Sequence, residues 1–251
     1  MIAYRDLRTH SNAQAVAHVH GGLPPNQGVV ITAWQAIEVF KHVTSDDQVL
    51  VTLPDFLNYA RLLSTGQASS FARLPGSLLR FLGAGMVAGI AASVQPIKLA
   101  QQDFWLIAQC LLKYDLALLP AGRKPNVLLH SNLMDFAAFF NQRRFVEYFF
   151  QQARRRGLPP GVHTQQPGEV LSCLGRWDLI PAMLGVVAGA KDIDGMDALS
   201  AACGNLGLLS TSKVVIELDS WPADLQVINK DSEDYRMLTP SGVVITDSRL
   251  G

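Results

Sequence analysis

The chain has 251 residues, and its 21 Lys plus Arg balance 21 Asp plus Glu, so the formal net charge is zero. Hydrophobic residues make up 49% and charged residues 17%, less than the roughly one quarter usual in globular proteins, so much of the chain is expected to be buried. This composition excludes general disorder, and the absence of net positive charge argues against nucleic-acid binding.

The first 27 residues are predicted to form a lead-in, with a helix over 6–20 as one alternative. The segment turns polar after three residues and has no apolar h-region, so we expect no signal peptide. The most membrane-like stretch, 81–94, has 14 residues, which is short of the roughly 20 that span a bilayer, so no membrane association is expected.

Eight short apolar segments, bounded by turn residues and rich in β-branched side chains, are typical of buried parallel strands. They are 29–32 (VVIT), 49–52 (VLVT), 86–90 (MVAGI), 127–130 (VLLH), 161–164 (GVHT), 183–187 (MLGVV), 214–218 (VVIEL) and 243–246 (VVIT).

Helices are predicted between these strands, at 34–42, 56–63, 101–113, 134–155, 168–174 and 196–206, while the more polar 221–236 is predicted as part loop. The clearest helix is 134–155, whose phenylalanines recur at helical spacing and are expected to pack in the core. Gly157 ends this helix, and Pro159 and Pro160 lead into the next strand.

Eight strands alternating with helices over 251 residues predict an α/β fold, a single-domain (β/α)8 TIM barrel over 1–251. An open doubly wound sheet is the alternative, but the chain lacks its Gly-rich first turn. Because five residues follow the last strand, the final helix has no room. Either the N-terminal helix fills the gap, or an apolar seam stays exposed and favours a partner chain, such as a homo-oligomer.

A barrel places its site at the carboxyl-terminal ends of the strands. The polar residues that end the predicted strands are Thr32, Gln35, Thr52, Asp55, His130, Asn132, His163, Thr164, Gln165, Glu217, Asp219, Asp247 and Arg249. From this set we predict Glu217 and Asp247 as catalytic carboxylates, because burial would raise the pKa of Glu217 and suit acid/base work. Predicted substrate-binding residues are Thr32, Asn132, Thr164, Gln165 and Arg249. Ordinary strand-end charges and loop hydrogen bonds are the alternative interpretation.

His130 and His163 end adjacent predicted strands, and with a carboxylate they would bind a divalent metal that keeps an open position. The alternative is that both are hydrogen-bonded polar residues at the barrel mouth, since no HExxH spacing is present. No Gly-rich nucleotide-binding or GxSxG motif occurs either. The three scattered cysteines, Cys110, Cys173 and Cys203, predict a reduced, cytoplasmic protein.

The segment VLLHSNLMDFAAFF…FVEYFFQQARRRGLPPGVHTQQPGEVLSCL resembles the second half of aldolase-type barrels and is similar to aldo-keto reductase-like barrels. The resemblance implies an enzyme on a small-molecule substrate, either a carbon–carbon lyase or an oxidoreductase. The reductase set of Asp, Tyr, Lys and His cannot be placed, and no predicted strand ends in the Lys of Schiff-base aldolases. A non-catalytic barrel that binds a ligand or a protein is the remaining hypothesis.

Overall fold

The computed structural model describes residues 2–54, 104–188, 213–218 and 242–245. Eight parallel strands in the described residues pair in chain order, and the pairing of β8 with β1 closes them into a barrel. The strands are β1 (Ile2–Asp6), β2 (Gln27–Thr32), β3 (Val49–Leu53), β4 (Asn126–Leu129), β5 (Pro160–Thr164), β6 (Met183–Ala188), β7 (Lys213–Leu218) and β8 (Gly242–Ile245). The predicted α/β barrel is confirmed.

Helices follow several of these strands and cover the outside of the barrel. The described α-helices are α1 (Asn12–Val19), α2 (Ala33–Val39), α3 (Phe104–Leu118), α4 (Ser131–Phe139), α5 (Arg143–Arg155) and α6 (Pro167–Trp177), with a 3-10 turn at Asp46–Gln48. Within the described ranges, no helix combines the length and apolar character needed to cross a membrane.

The barrel has two apolar layers, because successive side chains of a strand point to opposite faces. The inner layer fills the barrel and consists of Tyr4, Val30, Leu50, Leu128, Met183 and Val215. The outer layer lies between strands and helices and includes Val49, Val51 and Leu53 of β3. Every residue of β3 is therefore buried, which explains why its sequence is continuously apolar.

Strand β1 occupies a segment that was expected to be part of a lead-in over 1–27. It pairs with β2 on one side and with β8 on the other, so it completes the barrel. Arg5 is exposed and Asp6 is partly buried. Because these charged residues interrupt the apolar run that is typical of a buried strand, β1 was not predicted. The predicted helix over 6–20 is real only over Asn12–Val19.

Seven predicted strands coincide with β2 to β8. The remaining predicted strand, 86–90, lies outside the described residues. The predicted helices 56–63 and 196–206, the segment 221–236 and residues 246–251 also lie outside them. Strand β3 is hydrogen-bonded directly to β4, so these two strands are neighbours in the barrel.

The predicted continuous helix 134–155 was wrong, because the chain forms two helices, α4 and α5. Asn141 adopts the left-handed conformation, with φ of 51°, and this ends the first helix. Trp177 of α6 donates a hydrogen bond from Nε1 to Oδ1 of Asn141 at 3.1 Å. A residue outside 134–155 therefore stabilises the turn between α4 and α5.

This break changes which phenylalanines are buried. Phe149 and Phe150 of α5 are buried as predicted. In contrast, the three phenylalanines near the end of α4 are exposed: Phe136 by 52%, Phe139 by 77% and Phe140 by 55%. Helix α4 buries Leu133, Met134 and Ala137 instead, so the predicted core role of those three rings was wrong.

Candidate functional site

A small cavity lies inside the barrel toward the carboxyl-terminal ends of the strands. It is lined by Arg8, Val30, Thr52, Leu128, His163, Gly185 and Val215, and its volume is about 10 Å³. This is about the space that one water molecule occupies. The polar lining residues come from different strands: Arg8 follows β1, Thr52 belongs to β3 and His163 belongs to β5.

Arg8 is positioned by the carboxylate of Asp6. Its Nε donates to Oδ1 and its Nη2 to Oδ2, each at 2.9 Å, and its backbone N–H also donates to Oδ1 at 2.9 Å. Both side chains are largely shielded, with 15% and 13% of their surface exposed. A bidentate pair of this kind fixes the plane of the guanidinium beside the cavity.

Gln35 of α2 holds the loop that carries Arg8. Its side-chain oxygen accepts the backbone N–H of Thr32 at 2.9 Å, and its Nε2 donates to the carbonyls of Leu7 and His10 at 2.6 and 2.8 Å. Gln35 is buried with three partners satisfied, so it ties the end of β2 to the loop after β1.

Thr32 and Thr52 stand side by side at the ends of β2 and β3, where they are register partners. Each follows by two residues a side chain of the inner layer, Val30 or Leu50, so both lie on the inner face. They are 3% and 2% exposed. The Thr52 hydroxyl has no hydrogen-bond partner in the described part of the chain. The Thr32 hydroxyl is turned toward the backbone N–H of Gln35, with which it forms the capping box that begins α2.

His163 is 4% exposed and turns its imidazole into the barrel. Gly185 of the neighbouring strand provides the space, because a Cβ there would lie 2.9 Å from Cδ2 of His163.

Tyr4 belongs to the opposite end of the barrel, where its hydroxyl donates to the carbonyl of Asp47 at 2.8 Å. Burial raises the pKa of Tyr4 to about 12, so the phenol stays protonated at neutral pH.

His130 follows β4 and caps the start of α4. Its Nδ1 accepts the backbone N–H of Asn132 at 3.2 Å. This hydrogen bond positions the imidazole at the first turn of α4. No three His, Cys, Asp or Glu side chains among the described residues are arranged to hold a metal ion. The described residues do not by themselves complete a metal site, and the side chain of the predicted carboxylate Glu217 lies outside them. Asn132 is exposed.

Thr164 and Gln165 fasten the end of β5 to α4. The Thr164 hydroxyl donates to Asp135, and the Gln165 backbone N–H donates to the same carboxylate at 3.1 Å. The Thr164 oxygen also accepts the N–H of Gln166 at 2.8 Å. Because His163 points into the barrel, its neighbour Thr164 points outward, so its hydroxyl serves the packing of α4 rather than the cavity.

Glu217 lies on β7, level with Val187 of β6 and Val244 of β8. Its side chain lies outside the described part of the structure, as do Asp247 and Arg249. Of the predicted strand-end residues, Thr52 and His163 line one cavity and Thr32 adjoins it. Sequence reasoning missed Asp6 and Arg8 because it missed β1. The available signal was the short apolar run Ile2, Ala3 and Tyr4, which precedes the charged Arg5 and Asp6.

Comparisons with known proteins add no relative: no protein-family model, no curated protein and no solved structure matches the chain. The function must therefore be argued from the geometry of the barrel mouth.

Proposed function

We propose that the protein is a small-molecule enzyme of aldolase or lyase type that works at the carboxyl-terminal mouth of its barrel. One observation carries this proposal: Arg8 from the loop after β1, Thr52 of β3 and His163 of β5 meet at one cavity at that end. Active sites of (β/α)8 barrels lie at this end because the loops that follow the strands converge there.

Glu217 and Asp247 are the proposed acid and base. In the cleavage of a β-hydroxy carbonyl compound, one carboxylate takes the hydroxyl proton, and the carbon–carbon bond breaks. Its electron pair passes to the carbonyl fragment as an enolate, and the second carboxylic acid protonates the enolate carbon. Arg8, whose guanidinium lies at the cavity, is suited to stabilise the enolate oxygen.

Proton exchange provides a test that does not depend on the identity of the natural substrate. The full chain is incubated in D2O with small ketones, 2-oxo acids and hydroxy acids, and loss of the C–H signal next to the carbonyl is followed by proton NMR. We expect protein-dependent exchange in at least one compound, reduced by about a hundredfold or more in Glu217→Gln because a general base is removed.

Glu38→Gln is the matched control, since Glu38 lies on α2 and pairs at the surface with Lys41. Exchange should be unchanged in this variant. Exchange that persists in Glu217→Gln, or a complete absence of exchange with every compound, would contradict the proposed acid/base function.

A non-catalytic ligand-binding barrel is the second candidate, and the size of the cavity favours it. With about 10 Å³, the cavity encloses about one atom of a ligand, and the rest of the ligand would lie above it. Binding without exchange would support this candidate. Saturable quenching of nicotinamide fluorescence would instead support the aldo-keto reductase-like alternative.

The proposed location is supported by free cysteines, and the proposed partner by an exposed apolar patch. Cys110 and Cys173 are free thiols, which is consistent with a reducing, cytoplasmic environment. The exposed rings of Phe136, Phe139 and Phe140 form an apolar patch, which supports a homo-oligomer because such patches mark contact surfaces.

A further inference from the structure

The unpartnered hydroxyl at the end of β3 points to what the cavity binds. Thr52 is at least nine-tenths buried, and its hydroxyl lacks a hydrogen-bond partner among the described residues. A buried hydroxyl without a partner destabilises the folded state, so such a group in a folded protein calls for an explanation. Thr52 lines the cavity, and a bound oxygen atom there would supply the missing partner.

Charge and size restrict what this oxygen belongs to. Arg8 is the one Arg, Lys, Asp or Glu side chain among the described residues that line the cavity, and Asp6 holds its guanidinium in place. Hydroxyl and guanidinium groups both donate hydrogen bonds, and an ionised oxygen accepts stronger hydrogen bonds than a neutral one, so an ionised oxygen is the best-matched occupant. The volume of about 10 Å³ admits about one such atom.

We infer that the cavity receives one oxygen of a substrate carboxylate, with the Thr52 hydroxyl donating to it beside Arg8 and with Thr32 adjoining. The inference deepens the proposed function and rests on it, because it assumes that the bound carboxylate belongs to the substrate of the proposed enzyme. A phosphate fits less well, because its three terminal oxygens need a wider pocket with more donors. A neutral carbonyl oxygen fits the volume but gains less from the guanidinium.

Acetate and its uncharged counterpart acetamide are suitable probes. Their binding to the full chain is measured by saturation-transfer NMR at constant ionic strength, with Thr52→Val and Thr32→Val as variants that keep the side-chain shape. Thr44→Val is the control, since Thr44 is exposed. We expect acetate to bind at least about tenfold more tightly than acetamide, and Thr52→Val to weaken acetate about tenfold, as a charged hydrogen bond would.

Thermal stability separates a binding role from a structural one. If the hydroxyl serves the ligand, Thr52→Val melts at the same or a higher temperature than the parent, because an unpartnered buried hydroxyl is removed. A clearly lower melting temperature would indicate a structural partner, such as a fixed water, and would overturn the inference. Equal binding of acetate by the parent and Thr52→Val would overturn it too.

The outcomes also separate this inference from the proposed function. Exchange of a neutral ketone without Thr52-dependent acetate binding would overturn the carboxylate inference and leave the enzyme proposal intact. Thr52-dependent acetate binding without any exchange would support the carboxylate site and contradict the acid/base function.

Discussion

Gly161 shows how closely single residues are fitted in this barrel. A Cβ at this position would lie 2.6 Å from Cδ2 of Leu128 and 2.7 Å from the carbonyl oxygen of Met183. The leucine side chain belongs to the inner layer, and the carbonyl belongs to the neighbouring strand β6, so neither has room to move far. The glycine is required by close approach rather than by an unusual backbone angle.

Gly161→Ala is therefore expected to lower the free energy of unfolding by about 2 kcal/mol, the cost typical of overpacking a well-filled core. Gly168→Ala is the matched control, because no atom lies within 4 Å of a Cβ placed there, in the first turn of α6. The control should be neutral or more stable by up to about 1 kcal/mol. Urea unfolding followed by tryptophan fluorescence measures both changes, and equal stabilities would refute the steric argument.

At the level of elements, Arg123 joins the segment before β4 to the end of α2. Its Nη2 donates to the carbonyls of Phe40 and Val43 at 2.9 and 2.8 Å, and its Nη1 donates to the Thr44 carbonyl at 3.2 Å. Nη1 also pairs with Asp46 at 3.2 Å. A cation at the carboxyl end of a helix satisfies carbonyls that have no partner within the helix.

Arg123→Met should lower the free energy of unfolding by about 2 kcal/mol, because charged hydrogen bonds to several carbonyls are lost while the apolar stem is kept. Arg143→Met provides the comparison: Arg143 is 53% exposed and pairs with Glu147 one turn away on α5. Its removal should change stability by less than about 0.5 kcal/mol. If thermal or urea unfolding gave the two variants the same loss, the carbonyl contacts of Arg123 would not matter for stability.

For the whole molecule, β1 is the strand that closes the barrel. Ala3 is aligned with Gln27 of β2 and with Val243 of β8, so the ends of the described chain meet at this strand. Without β1, both β2 and β8 would become open sheet edges, which exposes their backbone groups and favours aggregation.

Ala3→Pro is expected to destabilise the fold by about 3 kcal/mol or more, because proline removes a backbone donor and does not fit within a paired strand. Asn12→Pro is the control, since Asn12 is the first residue of α1 and proline is accepted there. Circular dichroism melting should show a broad, early transition for Ala3→Pro and a parent-like transition for Asn12→Pro. Parent-like melting of Ala3→Pro would mean that closure by β1 contributes little.

The sequence by itself determined the architecture, because most of the described strands from β2 to β8 are short apolar runs, as expected for strands that are buried between the helices and the barrel interior. It also placed Thr32, Thr52 and His163 at strand ends, where a parallel barrel gathers side chains at one mouth. These inferences succeed because strand periodicity and strand direction are local properties.

Two features were decided by the tertiary structure: the closing strand β1 and the break between α4 and α5. Strand β1 is recognised by its pairing with two neighbouring strands, and the loop that follows it brings Arg8 to the cavity. The break between α4 and α5 occurs at Asn141, which accepts a hydrogen bond from Trp177, and that break determines which phenylalanines are exposed. The pairing of β1 and the contact from Trp177 involve residues that are distant in sequence and adjacent only after folding, so neither could be derived from local patterns.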